Sequence, residues 1–187
     1  MSRIIIAAIA LASFASVAAA QRLPVLLTVD ITDPTNVIIS ATGEAPAFDD
    51  SSLFMSSGVS LLGLFEGMGF EILVPATIAG NLAPAGNAVG YNRFDNTFEN
   101  LTPNDLNIFA DGVGGQQLFD INEPAFSGAT SPFDFSGAVF PPVGTSGRIV
   151  NGINPQSSTL GSWQIVPAPG SIALAAPLAC LALRRRR

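Results

Sequence analysis

Two stretches between positions 25 and 41 have apolar side chains at every second position, which is the period of two that is typical of β-strands. Every second residue from Val25 to Ile31 is apolar, and the alternation resumes from Val37 to Ala41. Residues 32–36 read Thr-Asp-Pro-Thr-Asn, which is the composition of a turn. The pattern therefore predicts a β-hairpin at the start of the domain.

Further runs along the chain also have the composition of strands. They are Val59–Glu66, Phe70–Val74, Tyr91–Phe98, Leu106–Ala110, Gln117–Ile121, Arg148–Ile153 and Leu160–Val166. Clusters of Gly, Pro, Asn, Asp and Ser separate these runs at short intervals, and no long segment between them has the composition of a helix. We therefore expect an all-β fold. The predicted architecture is an antiparallel β-sandwich, for which a jelly roll is one candidate form.

The segment Phe126–Gly147 is rich in Gly, Pro, Ser and Phe. It contains three prolines that are incompatible with a central strand, Pro132, Pro141 and Pro142, so we expect a long loop or a sheet edge. Four phenylalanines recur in the same segment: Phe126, Phe133, Phe135 and Phe140. A row of exposed aromatic rings would stack on sugar rings, but rings that cover the core from a loop are the favoured interpretation.

The N-terminus has the three parts of a secretory signal peptide. Arg3 supplies the positive charge, Ile4–Val17 is apolar, and Ala18-Ala19-Ala20 fits the small-residue cleavage site. We expect cleavage between Ala20 and Gln21, with the secretion machinery and signal peptidase as partners. A membrane-spanning first helix is the alternative, but the apolar run is short for it.

The C-terminus combines a proline-rich motif, an apolar run and a cluster of cations. The motif is Val166-Pro167-Ala168-Pro169-Gly170, the apolar run is Ser171–Leu183, and the chain closes on Arg184, Arg185, Arg186 and Arg187. A helix over residues 170–183 would be about 21 Å long, short of a bilayer core of about 30 Å. The terminal arginines are expected to stay on the cytoplasmic side.

This order of motif, short transmembrane segment and arginine cluster resembles the PEP-CTERM class of bacterial surface proteins. The resemblance covers about 22 residues and departs from the namesake Pro-Glu-Pro motif at Ala168, which stands where the glutamate usually is. It implies recognition by an exosortase, an integral-membrane protease or transpeptidase that cuts near the motif. A plain single-pass anchor is the main alternative, and a GPI signal does not need the closing arginines.

These signals divide the chain into a signal peptide (1–20), an acidic β-domain (21–164) and a sorting tail (165–187). All fourteen carboxylates lie between Asp30 and Asp134, whereas the domain has only three arginines, Arg22, Arg93 and Arg148, which leaves a net charge of −11. Such a charge argues against nucleic acid as a partner.

The amino-acid composition excludes most of the common catalytic mechanisms. The chain has no histidine and no lysine, and its one cysteine, Cys180, lies in the apolar tail. Histidine-based triads, a Ser-Lys dyad, thiolate metal sites and disulfides are therefore excluded for the secreted domain. Paired carboxylates of the glycosidase type remain, either Glu66 with Glu71 or Asp49 with Asp50.

Calcium is the one cofactor for which the sequence offers ligands. Asp30 and Asp33 flank one turn, and a second group consists of Asn92, Asp95, Asn96 and Glu99. Neither group matches an EF-hand loop, and the favoured interpretation is that these side chains cap turns.

The sequence thus predicts a non-catalytic protein, exported to the cell surface or extracellular matrix and transiently held in the membrane by its tail. We assign it no catalytic residue, no metal ligand and no cofactor. A polysaccharide- or calcium-binding module is the alternative, and a carboxylate-based glycoside hydrolase is less favoured.

Overall fold

The computed structural model describes residues 22–48, 58–66, 74–75, 78–79, 91, 93–95, 102–109 and 119–167. These residues form ten β-strands and no helix, which confirms the all-β class. The strands are β1 (Val25–Asp30), β2 (Ile38–Ala41), β3 (Val59–Leu61), β4 (Val74–Pro75), β5 (Ile78–Ala79), β6 (Arg93–Asp95), β7 (Leu106–Phe109), β8 (Ala129–Thr130), β9 (Ser146–Asn151) and β10 (Thr159–Val166).

The predicted first hairpin is confirmed. β1 and β2 are antiparallel, with Leu27 opposite Ala41 and Asp30 opposite Ile38. A turn connects them, closed by a hydrogen bond of 2.9 Å from the Asn36 amide to the Asp33 carbonyl. Leu27, Val29 and Ile39 of this hairpin are buried in the core, as the alternating pattern predicts, whereas Val25 precedes an irregularity in the pairing of β1 with β10 and is only partly buried.

The ten strands belong to one mixed sheet, in the order β4-β6-β7-β3-β9-β10-β1-β2-β8-β5. β1 runs parallel to β10, with Val25 opposite Ser162 and Asp30 opposite Val166. Our expectation of a purely antiparallel arrangement was therefore wrong. Alternation along each strand sets which side chains face inward, but it carries no information on the direction of a partner more than 130 residues away. Parallel strands need a long connection, and the rest of the domain provides it.

The sheet curls into a half-barrel where we had expected the two stacked sheets of a sandwich or jelly roll. Leu27 of β1 and Ile39 of β2 line a small internal cavity of about 20 Å³ together with Val59 of β3 and Ile108 of β7. Strands from the two arms of the sheet thus face each other across the core. A single curled sheet buries its apolar face against itself, so it encloses a hydrophobic core as two packed sheets do.

The two central strands of the sheet, β9 and β10, contribute Ile149, Trp163 and Ile165 to the core. Trp163 is 1% exposed, and its Nε1 donates a hydrogen bond of 3.0 Å to the Leu62 carbonyl. Gly147 is opposite Trp163 in the neighbouring strand. A Cβ at Gly147 would lie 2.5 Å from the indole ring, so the ring occupies the space that a larger residue would need.

The segment from 126 to 147 is mostly loop, as predicted, and contains the two-residue strand β8 and the start of β9. Phe126, Phe133 and Phe135 are only 2–5% exposed, and Phe140 is partly buried against the core. The Phe135 ring is 6.0 Å from both the Phe133 and the Phe140 ring. The favoured interpretation, that these rings cover the core from a loop, is confirmed.

Both predicted terminal helices lie outside the described residues. Among the residues that the structure describes, no helix has the length and apolar character needed to cross a membrane.

Candidate functional site

The predicted sorting motif begins at the end of β10, the last strand of the described residues. Val166 is the final residue of β10 and is half-buried, as is Pro167 after it. The strand end is fixed by two backbone hydrogen bonds of 2.9 Å, from the Ile165 amide to the Thr145 carbonyl and from the Gly144 amide to the Ile165 carbonyl. The ordered sheet therefore extends two residues past position 164.

The other predicted sorting residues lie outside the described part of the chain. They are Ala18, Ala20 and Gln21 of the signal-peptide site, Ala168, Pro169 and Gly170 of the motif, and Arg184, Arg185, Arg186 and Arg187. Their roles stay predictions.

Because β1 and β10 are parallel, the beginning of the domain and the motif lie at opposite ends of the strand pair. Val25 opens β1 beside Ser162, whereas Val166 closes β10 beside Asp30. Six residues of strand extend for about 20 Å. The segment that follows the predicted signal-peptide cleavage is thus separated from the segment that precedes the tail.

Two of the candidate calcium ligands, Asp30 and Asp33, hold the turn at the tail-side end. The Asp30 carboxylate accepts a hydrogen bond of 2.9 Å from the Thr32 amide. The Asp33 carboxylate accepts hydrogen bonds from the Thr35 amide, the Thr35 hydroxyl and the Asn36 side-chain amide, at 2.7–2.9 Å. The hydrogen bonds from Thr35 and then Asn36 lower the pKa of Asp33. This geometry supports the turn-capping interpretation.

Asp134 repeats the same local arrangement in the phenylalanine-rich loop. Its carboxylate accepts a hydrogen bond of 2.9 Å from the Ser136 amide. Hydrogen bonding by Ser136 lowers the pKa of Asp134, while the neighbouring charge of Asp33 opposes that shift. The tail-side end of the domain therefore carries several ionised carboxylates.

In the second candidate calcium group, only Asp95 is described. It is 7% exposed and lies opposite Asn107 across β6 and β7. The Asn107 side-chain amide donates to the Val59 carbonyl and to the Ser60 hydroxyl, at 3.0 and 3.2 Å. These contacts form a buried polar row on adjacent strands. Asn92, Asn96 and Glu99 lie outside the described residues. No cluster of three or more acidic, histidine or cysteine side chains suited to a metal occurs among the described residues.

Of the two carboxylate pairs considered for glycoside hydrolysis, the structure describes only Glu66. Glu66 is exposed, and its backbone amide donates to the Val139 carbonyl. Glu71, Asp49 and Asp50 lie outside the described residues. Phe126, Phe133 and Phe135 are buried, so they do not form the exposed row of aromatic rings that stacking on sugars would require.

Sequence reasoning missed a cleft on the outer face of the sheet. It has a volume of about 320 Å³, and its lining residues are Arg22, Leu23, Val25, Ser146, Gly147, Arg148, Ser162 and Gln164. The only signal in the sequence was that Arg22 and Arg148 are two of the domain's three cations. Their sequence separation hid the fact that β1, β10 and β9 are neighbours.

Comparison of the chain with models of protein families, with curated proteins and with solved structures finds no match.

Proposed function

We propose that this chain is an exported cell-surface or extracellular-matrix protein, in which an acidic half-barrel precedes a C-terminal tail that an exosortase-type membrane protease removes. The observation that carries the proposal is the junction at Val166 and Pro167. The last strand stops at Val166, and the proline-rich motif starts there. A central strand that ends at the first residue of the motif is compatible with removal of the segment that follows the motif.

The position of β10 in the sheet limits where a productive cut can fall. β10 pairs with β9 on one side and with β1 on the other, so it is a central strand. A cut before Trp163 would remove a buried side chain and the pairing on both sides. A cut beyond Pro167 leaves all of these contacts in place. The proposal therefore places processing on the C-terminal side of Pro167.

The proposed role of the domain is binding or display, without catalysis. The absence of histidine and lysine from the sequence supports this assignment. The cleft that contains Arg22 and Arg148 favours carbohydrate binding as a second candidate function, in place of the phenylalanine row.

Mass spectrometry of the mature protein from its native cells tests the proposed processing. We expect an N-terminus at Gln21 and a C-terminus close to the motif, without the four closing arginines. An intact protein that ends at Arg187 would overturn the processing step.

A matched pair of variants makes the test specific to the motif. Pro167→Ala combined with Pro169→Ala should leave the tail on the protein. Pro132→Ala, an exposed proline in the long loop, should be processed as the natural chain is. Equal processing of both variants would show that the motif prolines are not recognised.

A further inference from the structure

The cleft on the outer face lies over the three central strands. Arg148 of β9 is opposite Ser162 of β10, and Ser146 is opposite Gln164. On the other side of β10, Val25 of β1 is also opposite Ser162. The extended segment that contains Arg22 leads into β1 and forms the remaining wall.

Two positive charges face this cleft, and both are exposed. The Arg148 guanidinium donates to the Thr159 hydroxyl at 3.3 Å and to the Pro155 carbonyl at 3.4 Å. Both acceptors are neutral, so they orient the guanidinium without compensating its charge. Neither Arg22 nor Arg148 forms an ion pair with any carboxylate of the described residues, although the chain has fourteen carboxylates.

Polar side chains lie between the arginines. Ser146 and Gln164 form no side-chain hydrogen bond within the described part of the chain, so their hydroxyl and amide groups can exchange water for a ligand. The Ser162 hydroxyl donates to the Pro24 carbonyl at 3.1 Å and keeps its lone pairs as acceptors. The cleft thus combines two cations with hydroxyl and amide groups that both donate and accept.

We propose that this cleft binds a sugar unit that carries a carboxylate. The guanidinium groups of Arg22 and Arg148 bind the carboxylate through charge-assisted hydrogen bonds, for which their planar fork is suited. Ser146 and Gln164 bind the hydroxyl groups of the ring. The volume of about 320 Å³ lies at the lower end of the range of small-molecule sites.

The charge of the rest of the domain restricts the polymer to which this sugar belongs. With a net charge of −11, the domain repels a chain that carries a carboxylate on every unit. A largely neutral glycan with isolated acidic units avoids that repulsion. The inference deepens the second candidate function and is independent of tail processing, so a failure of one leaves the other unaffected.

The test measures binding of glucuronate to the full chain in mild detergent by equilibrium dialysis. We expect saturable binding that falls about tenfold or more in Arg148→Gln and in Arg22→Gln, because each variant loses a charge-assisted hydrogen bond. Arg93→Gln is the matched control. It causes the same change of net charge on β6, which three strands separate from β10 in the sheet order, and it should bind as the natural chain does. Circular dichroism checks that each variant is folded.

Competition with related small molecules identifies which groups of the ligand are bound. Glucose should fail to displace glucuronate, because it lacks the carboxylate. Acetate should compete at least tenfold less well, because it lacks the ring hydroxyls. Equal competition by acetate, or binding that survives both arginine substitutions, would overturn the proposal. Ser146→Ala serves as a second variant on the sugar side and should weaken glucuronate binding without affecting that of acetate.

Discussion

At the scale of single residues, the packing of Trp163 against Gly147 restricts which residues fit between the two central strands. The indole ring lies over the backbone of β9, and its Nε1 is bound to the Leu62 carbonyl. The position opposite the ring has room only for a residue without a side chain. Glycine is unfavourable in the interior of a strand. The close approach of the Trp163 ring explains why Gly147 occupies this position.

Gly147→Ala should destabilise the domain by about 1–3 kcal/mol, the usual effect of overpacking a core. The added Cβ would lie 2.5 Å from both the Leu62 carbonyl oxygen and the Trp163 ring. Thermal unfolding followed by circular dichroism measures the effect. Ser146→Ala, an exposed change on the same strand, serves as the control. Equal melting temperatures for both variants would show that the contact is not restrictive.

Asp33 should make the stability of the domain depend on pH in the acid range. Its pKa is lowered in the folded state, so the ionised form favours folding above the ordinary value near 3.8. That contribution is lost as the pH falls through the lowered pKa. Asp33→Asn should therefore be less stable than the natural chain at pH 7, and the difference should shrink below about pH 3.8.

Chemical denaturation between pH 2.5 and pH 7 measures this dependence on Asp33. Glu66→Gln neutralises an exposed carboxylate elsewhere and is the control. A difference between Asp33→Asn and the natural chain that stays constant over the whole pH range would contradict the assignment.

At the scale of elements, β10 holds the sheet together. It pairs with β9 along one edge and with β1 along the other, and these are the only strands that it pairs with in the described part of the chain. Its side chains alternate, so that Trp163 and Ile165 are buried while Gln164 and Val166 are partly exposed. The strand therefore contributes to the core and to the outer cleft at the same time.

The alternation along β10 predicts different effects at two neighbouring aliphatic residues. Ile165→Ala should cost about 2–5 kcal/mol, because Ile165 is fully buried and the substitution leaves a cavity. Val166→Ala should cost less than about 1 kcal/mol, because Val166 is half-exposed on the outer face. Denaturant unfolding of both variants measures the two values. Similar losses would contradict the assigned direction of these side chains.

At the scale of the whole molecule, the parallel pair of β1 and β10 separates the two ends of the domain. The tail-side end carries Asp30 and Asp33, whereas Arg22 lies just before the opposite end of β1, and the cleft runs from Arg22 along the strands to Gln164. The domain is therefore negative where the motif begins and has local positive charge at the far end.

Sequence alone predicted the all-β class, the first hairpin and the loop around Phe133. These follow from local physics, because alternation, turn residues and prolines restrict the backbone within a few residues. The prediction of export and sorting rests on sequence alone, since residues 1–20 and most of the motif lie outside the described part of the chain.

Only the tertiary structure decided the direction of β1 against β10, the single curled sheet and the cleft between Arg22 and Arg148. Each depends on strands that are distant in sequence and adjacent in space, and a period of two is the same for parallel and antiparallel neighbours. Two arginines 126 positions apart line one cleft because β1 and β9 both pair with β10.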